Sequence, residues 1–281
     1  MNDQSVLVSV LMTAYNREMY IAEAIQSVLD STYRNFELII VDDCSTDKTV
    51  EIAKLFELKD NRIKVYVNNK NIGQFANRNK AAQHAQGKYL KYLDSDDILY
   101  SVGLEAMVLN MENFPQASYG LEYPERQACR PYPILIDSKE AYIRYFNGDK
   151  IFICGPSAAI YRSKEFFEVN GFTGTPFIGD LELSLKLSAR FPMIIMQPGL
   201  IWWRTHPSQE FAIGNSGIAY TTGNYMVNKL ALQSLECPLL DKEKFVLLKK
   251  IKRNQINLIV GNFLKSGNLS KTISLIKGTK W

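Results

Sequence analysis

The sequence predicts an α/β fold in which a mostly parallel β-sheet is flanked by helices. The first observation is a set of four short apolar runs, which are typical of strands buried on both faces. The second is that segments with helical periodicity separate these runs, as in parallel sheets with right-handed crossovers. The predicted strands are Val6–Met12, Phe36–Val41, Ile63–Val67 and Tyr89–Leu93. The predicted helices between them are Ile21–Leu29, Val50–Leu55 and Phe75–Gln86.

The pattern is less regular in the rest of the chain. Prolines interrupt residues 114–137, for which no element is predicted. Further predicted helices cover Ser101–Asn113, Ser138–Asn147 and Asp180–Arg190. Further predicted strands cover Ser157–Tyr161 and Met193–Trp203, the latter interrupted by Pro198-Gly199. The chain from Asp241 onward is predicted to be helical, with a break near Ser266–Asn268.

The composition of the 281 residues is that of a globular protein, with 46% hydrophobic and 22% charged residues. It excludes a disordered or collagen-like chain, and the length predicts one large domain with an elaboration or two small domains. The N-terminus lacks the pattern of a signal peptide, and no apolar stretch approaches the ~20 residues of a membrane helix. We therefore expect a soluble, cytoplasmic protein. The cysteines are too scattered for a zinc or redox site, and we expect reduced thiols at Cys44, Cys129, Cys154 and Cys237.

Charge is distributed unevenly along the chain, although the net charge is only +4. Residues 241–281 contain ten Lys or Arg side chains but only two acidic ones, Asp241 and Glu243. The preceding residues carry a small net negative charge. Apolar residues alternate with the basic ones in this C-terminal region, a pattern that a helix on an anionic membrane surface can use. The alternative is that the apolar side packs on the rest of the chain or on a second copy of it.

Three polar clusters directly follow predicted strands: Thr13–Asn16, Asp42–Thr46 and Asp94–Asp97. Because the carboxyl ends of parallel strands line the ligand crevice, these clusters should converge there. The cluster Asp42–Thr46 taken alone is explained equally well as a helix cap. Three clusters at equivalent places, one with three aspartates, favour a functional site.

Asp94 and Asp96 are spaced so that their side chains point to the same side of extended backbone, ~6–7 Å apart. Such a carboxylate pair favours a hard divalent cation, Mg²⁺ or Mn²⁺, usually shared with substrate phosphates. The chain has neither a P-loop nor a dinucleotide-binding GxGxxG motif. It also lacks the Asp-x-Asp-x-Thr that a haloacid-dehalogenase-type phosphatase carries after its first strand.

The motifs together resemble family 2 glycosyltransferases. The resemblance is dense over residues 6–104 and is carried by Val8–Asn16, Phe36–Asp47, Asn71–Asn79 and Gly87–Asp97. It is weak over residues 105–150 and returns at Ile178–Glu182 and Trp203–Pro207. It departs from the usual pattern at Ala14, Gly179 and Lys80-Ala81. The resemblance implies an inverting enzyme of GT-A fold, Rossmann-like in its sheet, that uses a nucleotide-sugar donor and Mn²⁺ or Mg²⁺. It favours uracil as the base of the donor, with GDP- and dTDP-sugars as the alternatives.

The resemblance also implies roles for individual residues. The positions that match nucleotide-binding residues are Thr13, Tyr15, Asp43, Arg78, Asp94 and Ser95. Asp96 and His206 match metal-binding positions. Asp180 matches the catalytic aspartate that accepts the proton of the attacking hydroxyl. The alternatives for Asp180 are a purely structural helix N-cap, and Glu182 as the base.

The resemblance divides the chain into residues 1–104, the nucleotide-sugar-binding half, residues 105–215, the acceptor-binding and catalytic half, and residues 216–281, a basic helical region. We expect a glycan or lipid-linked acceptor in bacterial polysaccharide, glycolipid or cell-surface glycan synthesis, and no nucleic-acid partner. A homodimer and peripheral attachment at the inner face of the membrane are further expectations. The alternatives are a sugar-phosphate nucleotidyltransferase and an inactive nucleotide-sugar-binding protein.

Overall fold

The structure is a computed structural model that describes residues 5–123, 131–152, 154–174, 178–206 and 218–279, so that Cys129 and Pro207 lie outside the described residues. The strands are β1 Val8–Ala14, β2 Phe36–Asp42, β3 Ile63–Val67, β4 Tyr89–Tyr92, β5 Ile98–Leu99, β6 Tyr119–Glu122, β7 Ile134–Ile136, β8 Ala159–Arg162, β9 Met193–Met196 and β10 Ile201–Trp202. The helices are α1 Ile21–Leu29, α2 Thr49–Glu57, α3 Gln74–Gln83, α4 Gly103–Asn113, α5 Ser138–Phe146, α6 Ser163–Glu168, α7 Gly179–Arg190, α8 Ile218–Gln233, α9 Asp241–Ser266 and α10 Leu269–Gly278.

An eight-stranded sheet in the order β3-β2-β1-β4-β8-β6-β9-β7 forms the centre of the molecule. Strands β1 to β4 are parallel, with Val8 of β1 opposite Phe36 of β2 and Tyr89 of β4. Six strands run in one direction, while β8 and β7 run in the other. The predicted α/β class, the mostly parallel sheet and its flanking helices are therefore confirmed.

The second half of the sheet corrects several details of the prediction. The predicted strand at Ser157 begins with a 3₁₀ turn, Pro156–Ala158, and only then continues as β8. Strand β6 lies in the proline-interrupted segment for which no element was predicted. The predicted strand Met193–Trp203 is two strands, because Gly199 adopts a left-handed φ of +91° between them. The second of these, β10, pairs with β5 in a separate two-stranded sheet.

Apolar side chains fill both faces of the large sheet. On one face, α1, α2 and α4 cover a cluster that includes Val10, Leu38 and Met107. On the other face, α3, α5 and α7 cover a cluster that includes Leu11 and Leu185. This second cluster also contains Leu232 of α8, Leu247 of α9, and Cys237 and Leu239 from the loop between these helices. Parallel strands buried on both faces explain why their sequences are nearly continuous apolar runs.

The C-terminal region is helical, as predicted, and its helices α8, α9 and α10 pack against one another. Helix α9 buries Leu247, Gln255 and Ile259 along one side. It ends at Gly267, whose φ of +60° is the left-handed conformation common after helix C-termini. Among the residues that the structure describes, no helix has the length and apolarity needed to cross a bilayer.

Candidate functional site

The loops after β1 and β2 are joined by hydrogen bonds at the edge of the sheet. Asn16 has a left-handed φ of +53°, which Asn tolerates better than most residues. Its side-chain oxygen accepts from the Thr46 amide at 2.9 Å, and its own amide donates to Ser45 Oγ at 2.8 Å. This arrangement places Tyr15, which is 44% exposed, at the rim of the crevice. Thr13, two residues earlier, is half-buried.

Asp43 is the buried anchor of the neighbouring loop. Its Oδ1 accepts from Asn68 Nδ2 at 2.8 Å and from the Ile72 amide at 2.9 Å, and its Oδ2 accepts from the Gly73 amide at 2.9 Å. The carboxylate thus holds the segment before α3 against the end of β2. The structure therefore gives Asp43 a structural role that the sequence did not predict, in addition to the predicted contact with the base.

Asp42 forms a turn and does not cap a helix. Its two carboxylate oxygens accept from the amide and hydroxyl of Ser45, and burial raises the pKa of Asp42. The N-cap residue of α2 is Lys48, which lies outside the cluster Asp42–Thr46. Beyond the cluster, Asp47 Oδ1 accepts from the Thr49 amide at 2.9 Å, at the first residue of α2. The cluster thus combines the turn-forming Asp42 with the anchor Asp43.

Arg78 of α3 contacts the acidic loop, defined as residues Asp94–Asp97, that follows β4. Its Nη2 donates to Asp94 Oδ1 at 2.7 Å, and its guanidinium carbon lies 5.7 Å from the ring centre of Phe75 and 5.9 Å from that of Phe172. The residue is only 5% exposed, so it is not a helix-surface arginine. Its buried positive charge lies beside the carboxylate that was predicted to bind near the ribose.

Asp96 and His206, the two predicted metal-binding residues, are brought together from distant parts of the chain. His206 Nε2 lies 3.0 Å from Asp96 Oδ2, and both residues are 8% exposed. Ser95, predicted to contact the nucleotide, is buried between Asp94 and Asp96. The Tyr20 ring stacks on the His206 imidazole with 4.7 Å between ring centres, which fixes the orientation of the histidine.

Arg17 is a site residue that the sequence reasoning missed. Its Nε donates to Asp96 Oδ2 at 3.0 Å, the same oxygen that His206 approaches. The sequence feature that could have identified Arg17 is a positively charged residue immediately after Asn16, just beyond the end of a predicted strand. In this structure the guanidinium pairs with the Asp96 oxygen that was predicted to bind the metal ion, and its positive charge suits an anion such as a diphosphate.

The donor chemistry of this site is compatible with Mg²⁺ or Mn²⁺. The described residues contain no group of three or more His, Cys, Asp or Glu side chains that could hold a metal ion. Asp96 and His206 supply one carboxylate and one imidazole. Mg²⁺ in particular is often held by one or two protein groups together with substrate phosphates and water. The residues therefore fit an ion that shares its coordination with a bound diphosphate.

Asp97 connects the acidic loop to the segment that carries His206. Its Oδ1 accepts from the Arg204 amide at 3.1 Å, and Arg204 Nε donates to the Asp96 carbonyl at 2.8 Å. Asp97 is almost fully buried, and burial together with the nearby Asp94 raises its pKa to about 7. The Arg204 guanidinium carbon lies 5.1 Å from the Tyr20 ring centre, so Tyr20 contacts both Arg204 and His206.

Trp202 and Trp203 lie where β10 ends. Neighbouring side chains in a strand point to opposite sides, so one of the two would pack in the core if both lay in one strand. The structure leaves both exposed, at 44% and 53%. The Trp202 ring lies 4.9 Å from the Arg204 guanidinium carbon. Neither residue belongs to the apolar clusters of the core.

Asp180 is the second residue of α7, after Gly179, and the N-cap residue is Ile178. The explanation of Asp180 as the N-cap is therefore wrong, although its carboxylate still lies in the first turn, where the helix dipole favours an anion. A methyl group on Gly155 would lie 3.9 Å from Asp180 Oδ2. Both Asp180 and Arg78 influence the pKa of the buried Tyr161, which burial raises well above its usual value.

The rival base Glu182 is engaged elsewhere, because its Oε2 accepts a hydrogen bond from the Thr173 hydroxyl. Gly179 leaves space for a neighbouring aromatic ring. A Cβ there would lie 2.6 Å from Phe75 Cε1, so the glycine allows α7 to pack on the Phe75 ring. That ring also contacts Arg78, and this packing sets the position of Asp180 relative to α3.

Comparisons with known sequences identify the family of the chain. The sequence model for glycosyl transferase family 2 matches residues 9–167. The putative teichuronic acid biosynthesis glycosyltransferase TuaG of Bacillus subtilis is 46% identical over 97 residues, which are 34% of this chain and 38% of that protein. The UDP-Glc:alpha-D-GlcNAc-diphosphoundecaprenol beta-1,3-glucosyltransferase WfgD of Escherichia coli is 42% identical over 105 residues, 37% of this chain and 41% of WfgD. The match thus spans about two fifths of these relatives.

Solved structures agree over almost the whole chain. TarS 1–349 of S. aureus in complex with UDP-GlcNAc gives a TM-score of 0.75 at 20% identity, covering 96% of this chain and 79% of that one. The mannosyltransferase PcManGT of Pyrobaculum calidifontis, in complex with GDP-Man and Mn²⁺, gives 0.65 at 16% identity, with the same coverage. At these identities the likeness concerns the fold, which is GT-A. The match of the family model to more than half of the sequence shows that the chain belongs to glycosyl transferase family 2.

Proposed function

We propose that this protein is an inverting glycosyltransferase that moves a sugar from a UDP-sugar to an acceptor hydroxyl with the help of Mn²⁺ or Mg²⁺. The observation that carries the proposal is the convergence of Asp94, Asp96, Arg78 and His206 at the edge where β1, β2 and β4 end. A nucleotidyltransferase usually needs a glycine-rich loop and a lysine after its first strand, and this chain has neither there. The proposed inverting transfer instead needs the acidic loop and a separate base.

In this proposal the donor lies across the carboxyl ends of the parallel strands. Thr13, Tyr15 and Asp43 contact the base, and Arg78, Asp94 and Ser95 lie toward the ribose and diphosphate. The name of WfgD specifies UDP-Glc and TarS was solved with UDP-GlcNAc, which supports a uracil base. PcManGT was solved with GDP-Man, so guanine is the competing base. Asp96 and His206 would hold the metal ion, which would offset the charge that develops on the leaving diphosphate.

The proposed chemical step is a single displacement. The acceptor oxygen forms a bond to the anomeric carbon while the bond from that carbon to the diphosphate oxygen breaks, and its electron pair leaves with the nucleoside diphosphate. Asp180 takes the proton of the acceptor hydroxyl. Arg17 and Arg78 lie on the side of the acidic loop and offset the negative charge of the departing diphosphate.

We expect UDP with Mn²⁺ to raise the melting temperature of the protein, and Asp96→Ala to abolish the metal-dependent part of that shift. The reason is that a ligand bound only by the folded state stabilises it, and Asp96 is the carboxylate proposed to hold the metal. Differential scanning fluorimetry with UDP alone and with UDP plus Mn²⁺ measures the two parts. An undiminished metal-dependent shift in Asp96→Ala would remove Asp96 from the metal site.

Product analysis tests the reaction class against its alternatives. Incubation with candidate nucleotide sugars and Mn²⁺ should release nucleoside diphosphate. Pyrophosphate formed from a sugar phosphate and a nucleoside triphosphate would indicate a nucleotidyltransferase. Binding without any turnover would indicate an inactive nucleotide-sugar-binding protein.

The acceptor side of the proposal rests on the division of the chain into residues 1–104, 105–215 and 216–281. Residues 105–215 are proposed to bind a glycan or lipid-linked acceptor. The names of TuaG and WfgD specify teichuronic acid synthesis and a diphosphoundecaprenol acceptor, which supports a role in bacterial polysaccharide or glycolipid synthesis. We place that role at the inner face of the cytoplasmic membrane.

A basic, apolar face on α9 supports attachment to an anionic membrane. Opposite its buried side, α9 exposes Phe245, Val246, Lys249, Lys252, Arg253, Ile256, Val260, Phe263 and Leu264. The following α10 exposes Leu269, Ile273 and Ile276. After Glu243 the sequence contains no acidic residue, so this surface is complementary to an anionic lipid surface.

The full chain is expected to sediment with vesicles that contain phosphatidylglycerol, but not with pure phosphatidylcholine vesicles. Phe263→Ser together with Leu264→Ser should abolish this binding, whereas Leu58→Ser, at the exposed position directly after α2, should not. Removing residues after 240 is unsuitable, because Leu247 belongs to the core. A concentration-dependent dimer that the same double substitution dissociates, without vesicle binding, would instead make this face a contact between two copies.

A further inference from the structure

Lys91 lies at the centre of the large sheet and is completely buried. It belongs to β4, where β1 pairs on one side and β8 on the other, with Val10 and Ile160 as its register partners. Desolvation lowers the pKa of Lys91 to about 8, while the carboxylates of Glu122, Asp97 and Asp94 favour its charged form. Burying an ammonium group costs free energy of folding unless the group is paired, and an apolar side chain would fit this position of the strand without that cost.

The Lys91 ammonium donates a hydrogen bond to the carbonyl oxygen of Ser157, in the 3₁₀ turn before β8. The hydroxyl of the same serine accepts from the Asp94 amide at 2.9 Å and is also hydrogen-bonded to the Asp97 carboxylate. Ser157 therefore lies between Lys91 and the acidic loop. The position of its carbonyl sets the position of its hydroxyl, and through it that of the loop backbone.

Glu122, the largest electrostatic partner of Lys91, holds a second segment. Its two carboxylate oxygens accept from the amides of Gly199 at 2.7 Å and Ile201 at 3.1 Å. This segment continues to Arg204 and His206, which contact Asp97 and Asp96. The buried Lys91 ammonium thus contacts the segment before β8, and the carboxylate of Glu122, whose charge favours that ammonium, holds the segment that meets the acidic loop.

We propose that Lys91 is a positioning residue, which acts through Ser157 without touching the donor. Through Ser157 it holds the Asp94–Asp97 loop and, with that loop, the segment of Arg204 and His206 that contacts it. The inference rests on the proposed function, because donor binding is where its effect appears. Since residues that orient metal ligands affect affinity about 10–100-fold when mutated, Lys91→Met should weaken Mn²⁺-dependent UDP binding by about that factor.

The decisive comparison is between Lys91→Met and the double variant Lys91→Met with Glu122→Gln. The double variant removes the charge pair together, so it should recover resistance to urea but keep the loss of UDP and Mn²⁺ affinity measured by titration calorimetry. Ser157→Ala keeps the carbonyl that Lys91 contacts and removes the hydroxyl, so it should reproduce the affinity loss. Lys88→Met, which breaks only the surface ion pair with Glu112, should change neither quantity.

A ligand-free readout separates this inference from the proposed function. Hydrogen exchange of residues 94–97 and 199–206 should become faster in Lys91→Met and in the double variant, and remain unchanged in Lys88→Met. Wild-type UDP affinity and wild-type exchange in the double variant would show that Lys91 only neutralises Glu122, and would overturn the inference. Faster exchange in a protein whose wild type binds no nucleotide would leave the positioning role intact and contradict the proposed function instead.

Discussion

Asp180→Asn should reduce kcat by about 10²-fold or more while donor affinity stays unchanged. The substitution preserves the size and hydrogen-bonding capacity of the side chain but removes the carboxylate that accepts the proton. Asp180 occupies the first turn of α7, where the helix dipole favours an anion. Turnover at saturating donor and acceptor, combined with calorimetric titration of UDP, separates the two effects.

Glu182→Gln is the matched control, because Glu182 lies in the same helical turn and is engaged with Thr173. It should retain most of the activity. A purely structural role of Asp180 predicts near-normal kcat for Asp180→Asn, since asparagine is also well tolerated near helix N-termini. An active Asp180→Asn enzyme and an inactive Glu182→Gln enzyme would transfer the role of base to Glu182.

Asp43→Ala is expected to lower the free energy of unfolding by about 2–4 kcal/mol, in addition to any loss of nucleotide affinity. The buried carboxylate accepts from the amides of Ile72 and Gly73 and from the side chain of Asn68. Alanine would leave these three donors without their common acceptor, and hydrogen bonds to charged groups contribute more than those between neutral groups. The midpoint of urea unfolding, at an unchanged m-value, measures the effect.

Asp60→Ala provides a comparison in a solvated loop. Asp60 also accepts hydrogen bonds from a backbone amide and a guanidinium, both of Arg62, but this ion pair is only partly buried. Asp60→Ala should lower the free energy of unfolding by less than about 1 kcal/mol. If Asp43→Ala unfolded at the wild-type urea concentration and lost only UDP affinity, the anchoring role that the structure gives to Asp43 would be refuted.

The parallel half of the fold could be predicted because each of its elements is encoded locally. Strands β1 to β4 are apolar runs with a polar cluster after three of them, and the resemblance paired Asp96 with His206. The position of β8 could not be predicted, because nothing within Ala159–Arg162 indicates that it inserts antiparallel between β4 and β6. Strand β6 is short and contains Gly120 and Glu122. It therefore shows neither the continuous apolar run of a buried strand nor a clear alternation of apolar and polar residues.

The same limit applies to the residues that orient the site. Arg17 meets Asp96 across 79 positions of sequence, and Lys91 meets Ser157 across 66. A lysine next to Tyr92 in the sequence gives no indication that it is buried. The exposure of both Trp202 and Trp203 could not be predicted either, because the sequence does not show that β10 ends at Trp202. Sequence patterns located the ends of the strands, but not the contacts between distant segments.

The insertion of β8 between two earlier strands also affects how the protein is made. Strands β1 to β4 can pair as soon as residue 92 has left the ribosome, but the free edge of β4 stays open until residues 159–162 have been synthesised. During that interval β4 is an edge strand in which apolar and aromatic side chains surround Lys91. A charge on an open edge discourages pairing with strands of other chains. Lys91 therefore places a charge on this edge until β8 covers it.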